Sequence, residues 1–152
     1  MNICREDLDS PIVMALVEAL DTELLERYPE PGAHHFELEA EEIEDGLGAF
    51  LVGYVDGRPV ACGAIRSLGG GAAEIKRMYV RPDVRGQGLA WAVLLELERI
   101  ALELGARRLV LETGTRQAEA LALYRRAGFA QIERFGRYAS SPLSICMAKD
   151  LR

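Results

Sequence analysis

Three cysteines, two histidines and one tryptophan in 152 residues leave few routes open for several kinds of chemistry. Cys4, Cys62 and Cys146 are scattered and odd in number. A disulfide framework is therefore excluded, and buried free thiols in a reducing cytoplasm are expected. His34 and His35 are adjacent, so on a helix or strand they would not face one site, and no metal site is expected. No Cys–His or Ser–His–Asp arrangement is signalled, which argues against a covalent acyl-enzyme. No apolar run approaches the ~20 residues that cross a bilayer, so no membrane is expected as a partner. The start, Met1-Asn2-Ile3-Cys4-Arg5-Glu6-Asp7, has no signal-peptide core, so a cytoplasmic location is expected. Aromatics make up 7% and no compact basic stripe interleaves with them, which argues against nucleic acid. Repeats, linkers and low-complexity runs are also missing. Residues 1–152 should form a single domain.

What is present is an ordinary globular composition, 49% apolar and 28% charged. A chain of this length buries roughly 68–70% of its unfolded surface, enough for one core. The net charge of −6 is unevenly spread. The first fifty residues hold fourteen of the 24 acids but only Arg5 and Arg27 of the 18 Lys and Arg. The basic remainder suits a polyanionic ligand and the acidic third a cationic one. A solvated acidic helix face over residues 37–45 is the plainer alternative.

The chain is organised around residues 74–104. Branched and aromatic residues in AEIKRMYV stop at Arg81-Pro82, which predicts a strand ending there, because proline lacks an N–H and biases its predecessor away from helix. Val93, Leu97, Ile100 and Leu104 repeat at three- and four-residue steps, with Ala90, Leu94 and Ala101 beside them, which predicts a helix that stops at Gly105. Between the two lies Arg85-Gly86-Gln87-Gly88-Leu89-Ala90. Two glycines let the backbone bend, and the helix that follows points its first unpaired N–H groups, and the positive end of its dipole, into the bend. That predicts an anion site, with phosphate as the favoured anion. The phosphate-loop pattern GxxxxGK with Ser or Thr is absent, and the dinucleotide fingerprint fails because Trp91 stands where a third glycine is needed.

Arg85-x-x-Gly88-x-Ala90, following a strand that ends in Val80, resembles the acetyl-CoA signature of the GNAT superfamily of N-acetyltransferases. A second match lies downstream in Gln117-x-x-Ala120-x-x-x-Tyr124-x-x-x-Gly128-Phe129, with a strand between the two. Together they cover about residues 49–149, and the first 48 match only in outline. The resemblance implies a single-domain α/β (α+β) fold, a mixed and mainly antiparallel sheet of about six or seven strands flanked by about four helices. It also implies acetyl-CoA as cosubstrate, without a metal, and direct acetyl transfer to a primary amine of a small or amino-acid-like molecule. Protein or peptide acetylation, and a non-catalytic acetyl-CoA-sensing module, are the alternatives. A homodimer stays open.

The resemblance also assigns residues. The backbone of Arg85, Gly86, Gln87, Gly88, Leu89 and Ala90 would hold the diphosphate, with Arg85 adding a cation. Met78, Tyr79 and Val80 would pair with the pantetheine arm like an added strand, between strands that splay to admit it. Gln117 stands where the family often has asparagine and could reach the same arm. Tyr124 would donate a proton to the leaving thiolate. Glu74 falls six residues before Val80, where one branch of the family has its general base. By alternation it would share a face with Lys76, Met78 and Val80, and an ion pair with a neighbour is its plain alternative. Tyr28, His35, Phe36 and Tyr138 are candidates for the acceptor wall, while Arg125 and Arg126 read as solvated helix-face arginines, with contact to the cofactor's phosphates as the alternative.

The remaining elements follow from pattern. Residues 3–6 form a short strand. Ser10 caps a helix begun by Pro11, striped by Ile12, Leu16, Leu20 and Leu24 with Val13 and Val17, and ended by Tyr28-Pro29. A short helix spans 39–47. Strands at 49–55 and 59–68 join at Asp56-Gly57. A strand covers 108–113, a helix 118–127 closed by Gly128, and strands 129–134 and 143–149, the last with Ile145 and Met147 on one side.

Overall fold

Alternating apolar residues build seven strands and three apolar stripes build helices, in a computed structural model that describes residues 1–30, 40–44 and 46–151. In chain order these are β1 (Asn2–Arg5), α1 (Pro11–Arg27), β2 (Gly48–Val55), β3 (Arg58–Gly69), β4 (Ala72–Val80), α2 (Leu89–Glu103), β5 (Arg108–Gly114), α3 (Ala118–Arg126), β6 (Ala130–Ile132) and β7 (Ser144–Asp150). The strands form one sheet in the order β1-β2-β3-β4-β5-β7-β6. β4 and β5 run parallel, as their long crossover through α2 allows, and every other pair is antiparallel. At the first hairpin both Asp56 (φ 52°) and Gly57 (φ 77°) take the left-handed conformation, matching the twist of the flanking strands.

The sheet is buried on both faces because its residues alternate between two cores. On one face Val13, Leu16 and Leu20 of α1 pack on Phe50, Val52, Cys62, Ala64 and Tyr79. On the other, Val93, Leu97 and Ile100 of α2 pack on Leu51, Ile65, Ile75 and Leu111, and Tyr124 of α3 joins this cluster with Met147. The α2 stripe is the one the spacing predicts.

Several local expectations give way. Ile12 is 38% exposed, and the buried stripe of α1 runs through Val13 instead. Ser10 stands at the N-cap without bonding a helix amide, and its hydroxyl donates to Glu6 at 3.3 Å. The helix expected over 39–47 is, among the described residues, a single 3₁₀ turn at Ala40–Ile43. The strand expected over 129–134 narrows to Ala130–Ile132, and Cys4 is exposed while Cys62 and Cys146 are buried.

The feature that shapes the site is a bulge in β4. Its register with β3 passes from Ala64↔Lys76 to Cys62↔Tyr79, two steps on β3 against three on β4. Arg77 absorbs the extra residue at φ 60°. Its guanidinium crosses to α1 and donates to Asp21 at 2.7 Å, while the Cys62 thiol donates to its carbonyl at 3.2 Å. The bulge reverses the alternation. Met78 turns toward Val93 and Leu97 of α2, and a Cβ on the facing Gly63 would lie 2.7 Å from its sulfur. Glu74 therefore does not share a face with Met78 and Val80. Past the pair Ile75↔Leu111 the two parallel strands part: β4 continues against β3 to Val80↔Ala61, and β5 against β7 from Glu112↔Cys146 to Gly114↔Ser144.

Candidate active site

The parting of β4 and β5 opens into a cleft of about 450 Å³. Its walls are Met78, Tyr79 and Val80 of β4, residues 84–86 and 88–91, and Gln117, Ala120, Leu123 and Arg126 of the α3 side. Leu20, Glu23 and Arg27 of α1 close the third side.

At one end the loop presents bare backbone. Gly86 and Gly88 both sit at φ 80°, a conformation that glycine adopts without penalty. Gly88 takes the N-cap place of α2 with no side-chain cap. The first amide of that helix to find an acceptor is Ala92, on the Gly88 carbonyl at 3.1 Å. Among the described residues no backbone carbonyl reaches the amides of Gly86, Gln87, Gly88, Leu89, Ala90 or Trp91. Six such donors at a helix N-terminus fit an anion.

Arg85 lies beside them but is engaged. Its Nε donates to the Val80 carbonyl at 2.9 Å, and Nη2 donates to Glu23 at 2.7 Å. Arg27 sits between Glu23 (4.0 Å) and Glu119 (3.7 Å), linking α1 to α3 across the mouth. Arg126 stacks over Trp91, 5.4 Å from the ring centroid, and lines the edge of the cleft while staying exposed. Arg125 is exposed.

At the other end α3 delivers Tyr124 to the parting strands. The residue is 5% exposed and meets Phe129 edge-on at 5.7 Å. Among the described residues its hydroxyl has no hydrogen-bond partner. Burial pushes its pKa well above the ordinary phenol, with the Glu112 charge adding to the rise, so it stays a neutral proton donor. Gln117 caps the loop before α3: its side-chain oxygen accepts from the Gly114 amide at 2.8 Å, leaving the amide NH₂ on the cleft side. Tyr28, from the end of α1, is buried against Gly114, and its hydroxyl accepts from the Arg116 amide at 2.8 Å. It braces α1 to the β5–α3 turn.

Glu74 is 1% exposed. One oxygen accepts from Arg66 Nε at 2.9 Å and Nη2 at 2.8 Å, and the other from the Tyr138 hydroxyl at 2.7 Å. Arg66 also pairs with Glu42. Tyr138 is buried, with Phe135 edge-on at 5.3 Å. His35 and Phe36 lie outside the described residues. The structure thus brings Glu74 and Tyr138 together and places Tyr28 across the gap, near Glu112.

Glu112 was missed. It is the first residue of β5 beyond the last β4–β5 pair. It is partly buried, accepts from Ser144 Oγ at 2.7 Å, and its charge is felt at Tyr28, Tyr124, Tyr138 and Cys146. Desolvation raises its pKa, Glu74 adds to the rise, and Ser144 and Lys76 oppose it. A lone acid in the apolar run RLVLET was the available signal.

The model of the GNAT acetyltransferase family matches residues 14–129. The chain is 40% identical over 152 residues to a protein of Azospirillum brasilense named IAA acetyltransferase, covering 99% of this chain and 98% of the other. A crystal structure of a Klebsiella pneumoniae protein, provisionally described as an acyl-CoA N-acyltransferase, superimposes with a TM-score of 0.86 at 32% identity, covering 99% and 97% of the two chains. A GNAT family acetyltransferase of Elizabethkingia anophelis, solved with acetyl-CoA bound, shares the fold at a TM-score of 0.70 and 18% identity, covering 99% and 97%.

Proposed function

The chain belongs to the GNAT family of acetyltransferases, and from that premise we propose that it moves an acetyl group directly from acetyl-CoA to the primary amine of a small molecule. One observation carries the reading. The six unpaired amides at the mouth of α2 and the end of β4 that has left β5, Met78 to Val80, line one cleft. A ligand with a diphosphate at one end and an extended amide arm behind it fits that sequence of features. The Elizabethkingia protein holds such a ligand in the same fold. The acceptor class rests on the relative named for a small-molecule acetyltransferase, 40% identical over nearly the whole chain.

Acetyl-CoA supplies the acetyl group as an activated thioester. The chain's residues do the rest. The amides of residues 86–91 hold the diphosphate, and Arg126 and Arg85 add positive charge. Met78, Tyr79 and Val80 offer the free edge of β4 to the arm, and the Gln117 NH₂ meets it from the α3 side. An alkylammonium sits near pKa ~10.4 and must lose a proton before it attacks. Two carboxylates, Glu74 and Glu112, stand where β4 and β5 part, and one of them receives it. Tyr124 protonates the departing thiolate, whose pKa is near ~8.5. Tyr138 and Tyr28 form the wall toward the acceptor.

The test is direct. Purified protein with acetyl-CoA and a panel of amines, amino acids and peptides should release free thiol with small amines in preference to peptides. Acetylation of peptides alone would redirect the substrate class. Binding of acetyl-CoA with no transfer to any acceptor would favour a sensor.

A further inference from the structure

Two carboxylates lie where β4 and β5 part, and their surroundings differ. Both oxygens of Glu74 are spoken for, one by the Arg66 guanidinium and the other by the Tyr138 phenol. Each oxygen thus already accepts a strong hydrogen bond, from a guanidinium on one side and a phenol on the other. Glu74 is also 1% exposed and cannot be approached without displacing a partner.

Glu112 is the opposite case. It stands at the point where β4 leaves β5, so no strand covers it on that side. Its partner Cys146 lies on β7, away from the gap. One oxygen accepts from Ser144, which is itself 2.9 Å from Ser141 Oγ. A hydroxyl has one proton to give, so Ser141 donates to Ser144 and Ser144 to Glu112, which fixes the carboxylate's orientation and, among the described residues, leaves its second oxygen without a hydrogen-bond partner. The groups that face it are Glu74 and Lys76 from β4, Ser144 and Cys146 from β7, Tyr124 from α3, Tyr28 from the end of α1 and Tyr138 from the turn before β7. Resting on the transferase reading above, we infer that Glu112 takes the proton from the acceptor ammonium, and that Glu74 is a positioning residue that anchors Arg66 and Tyr138.

The step balances. The ammonium gives one proton to Glu112, which passes it to solvent. The freed nitrogen lone pair forms the N–C bond to the acetyl carbon. The C–S bond breaks and its electron pair leaves on sulfur. Tyr124 gives sulfur its phenol proton and recovers one from the nitrogen, so the products are an amide, a thiol and one released proton. The raised pKa of Glu112, caused first by desolvation, moves the base closer to neutral pH, where a base works best.

The experiment compares the parent, E112Q and E74Q with tryptamine, tyramine, putrescine and L-lysine as acceptors. The expected result is a loss of about 100-fold or more in kcat/KM for E112Q, with acetyl-CoA affinity by calorimetry within about twofold of the parent. The acidic limb of the pH–rate profile should persist in E74Q and vanish in E112Q, a change that a structural role would not produce. A limb kept in E112Q or lost in E74Q overturns the assignment. Thermal unfolding gives a reading that needs no acceptor. A carboxyl with a raised folded pKa stabilises below its unfolded value, near ~4.3, and that stability is lost as pH rises through the folded value. E112Q should therefore gain Tm over the parent from pH 4 to pH 8, and a constant difference across that range also overturns the assignment. If the parent fails to bind acetyl-CoA, the transferase reading falls and takes this one with it. Binding with an unchanged E112Q profile sinks only the role of Glu112.

Discussion

Tyr124 shows how far a single position can be read from spacing. Its place four residues before Gly128 marked it, and the fold buries it at 5% exposure with its hydroxyl unpartnered at the end of the gap. If it protonates the thiolate, Tyr124→Phe should lower kcat by about tenfold or more while acetyl-CoA affinity stays within about twofold. Stopped-flow release of thiol and calorimetry would separate the two. An unchanged kcat would leave the phenol a packing residue in the α2 core. Glu74 was legible as an acid on the correct strand, but not its pairing. Arg66 and Tyr138 lie 8 and 64 positions away, and only the folded sheet brings them to its two oxygens. Glu112 was hidden because its importance comes from where β4 stops pairing, which no local pattern in β5 records.

At the scale of elements, hydrophobic period gave α2 and the strands, because period alone decides which face of an element is buried. It failed where tertiary contacts override alternation. Nothing in AEIKRMYV marks the bulge: Arg77, not glycine, takes the positive φ, and Asp21, 56 positions earlier on α1, holds it there. Gly63 is the other half of that device. A methyl there would meet Met78, Leu97 and Val93 at 2.7–2.9 Å. Gly63→Ala should cost about 1–3 kcal/mol by denaturant unfolding and weaken acetyl-CoA binding by displacing Met78. A neutral variant would show that the bulge tolerates its neighbours. α1 contributes another element of the site. Glu23 holds Arg85 at 2.7 Å and sets a negative charge beside the proposed diphosphate site. Glu23→Gln should tighten acetyl-CoA binding by about three- to tenfold, the worth of roughly 1 kcal/mol in a partly exposed pair. Equal or weaker binding in calorimetry would mean that Glu23 positions Arg85 rather than neutralising it.

The whole molecule is two antiparallel halves, β1–β4 and β5–β7, joined side by side through only four residue pairs, Ala72↔Arg108 to Ile75↔Leu111. α2 crosses over the junction and α1 braces it through Tyr28 and Arg116. Backbone groups of β4 beyond Ile75 that point at the gap have no strand opposite them. A ligand arm lying there would complete the sheet, and one gripped at residues 86–91 would tie the loop to both halves at once. Protection should therefore rise locally, not everywhere. Hydrogen exchange with saturating acetyl-CoA should slow at residues 77–80 and 86–91, and leave β1 and β6, at the sheet's outer edges, unchanged. The same ligand at a hundredfold excess over its Kd adds about 2.7 kcal/mol of stability, or roughly 5–10 °C in Tm for a domain of this size. Coenzyme A lacking the acetyl group should give most of both effects, since the diphosphate and arm make the contacts. Protection spread evenly over the sheet, or confined to residues 86–91 with none in β4, would mean that the arm does not lie between the strands.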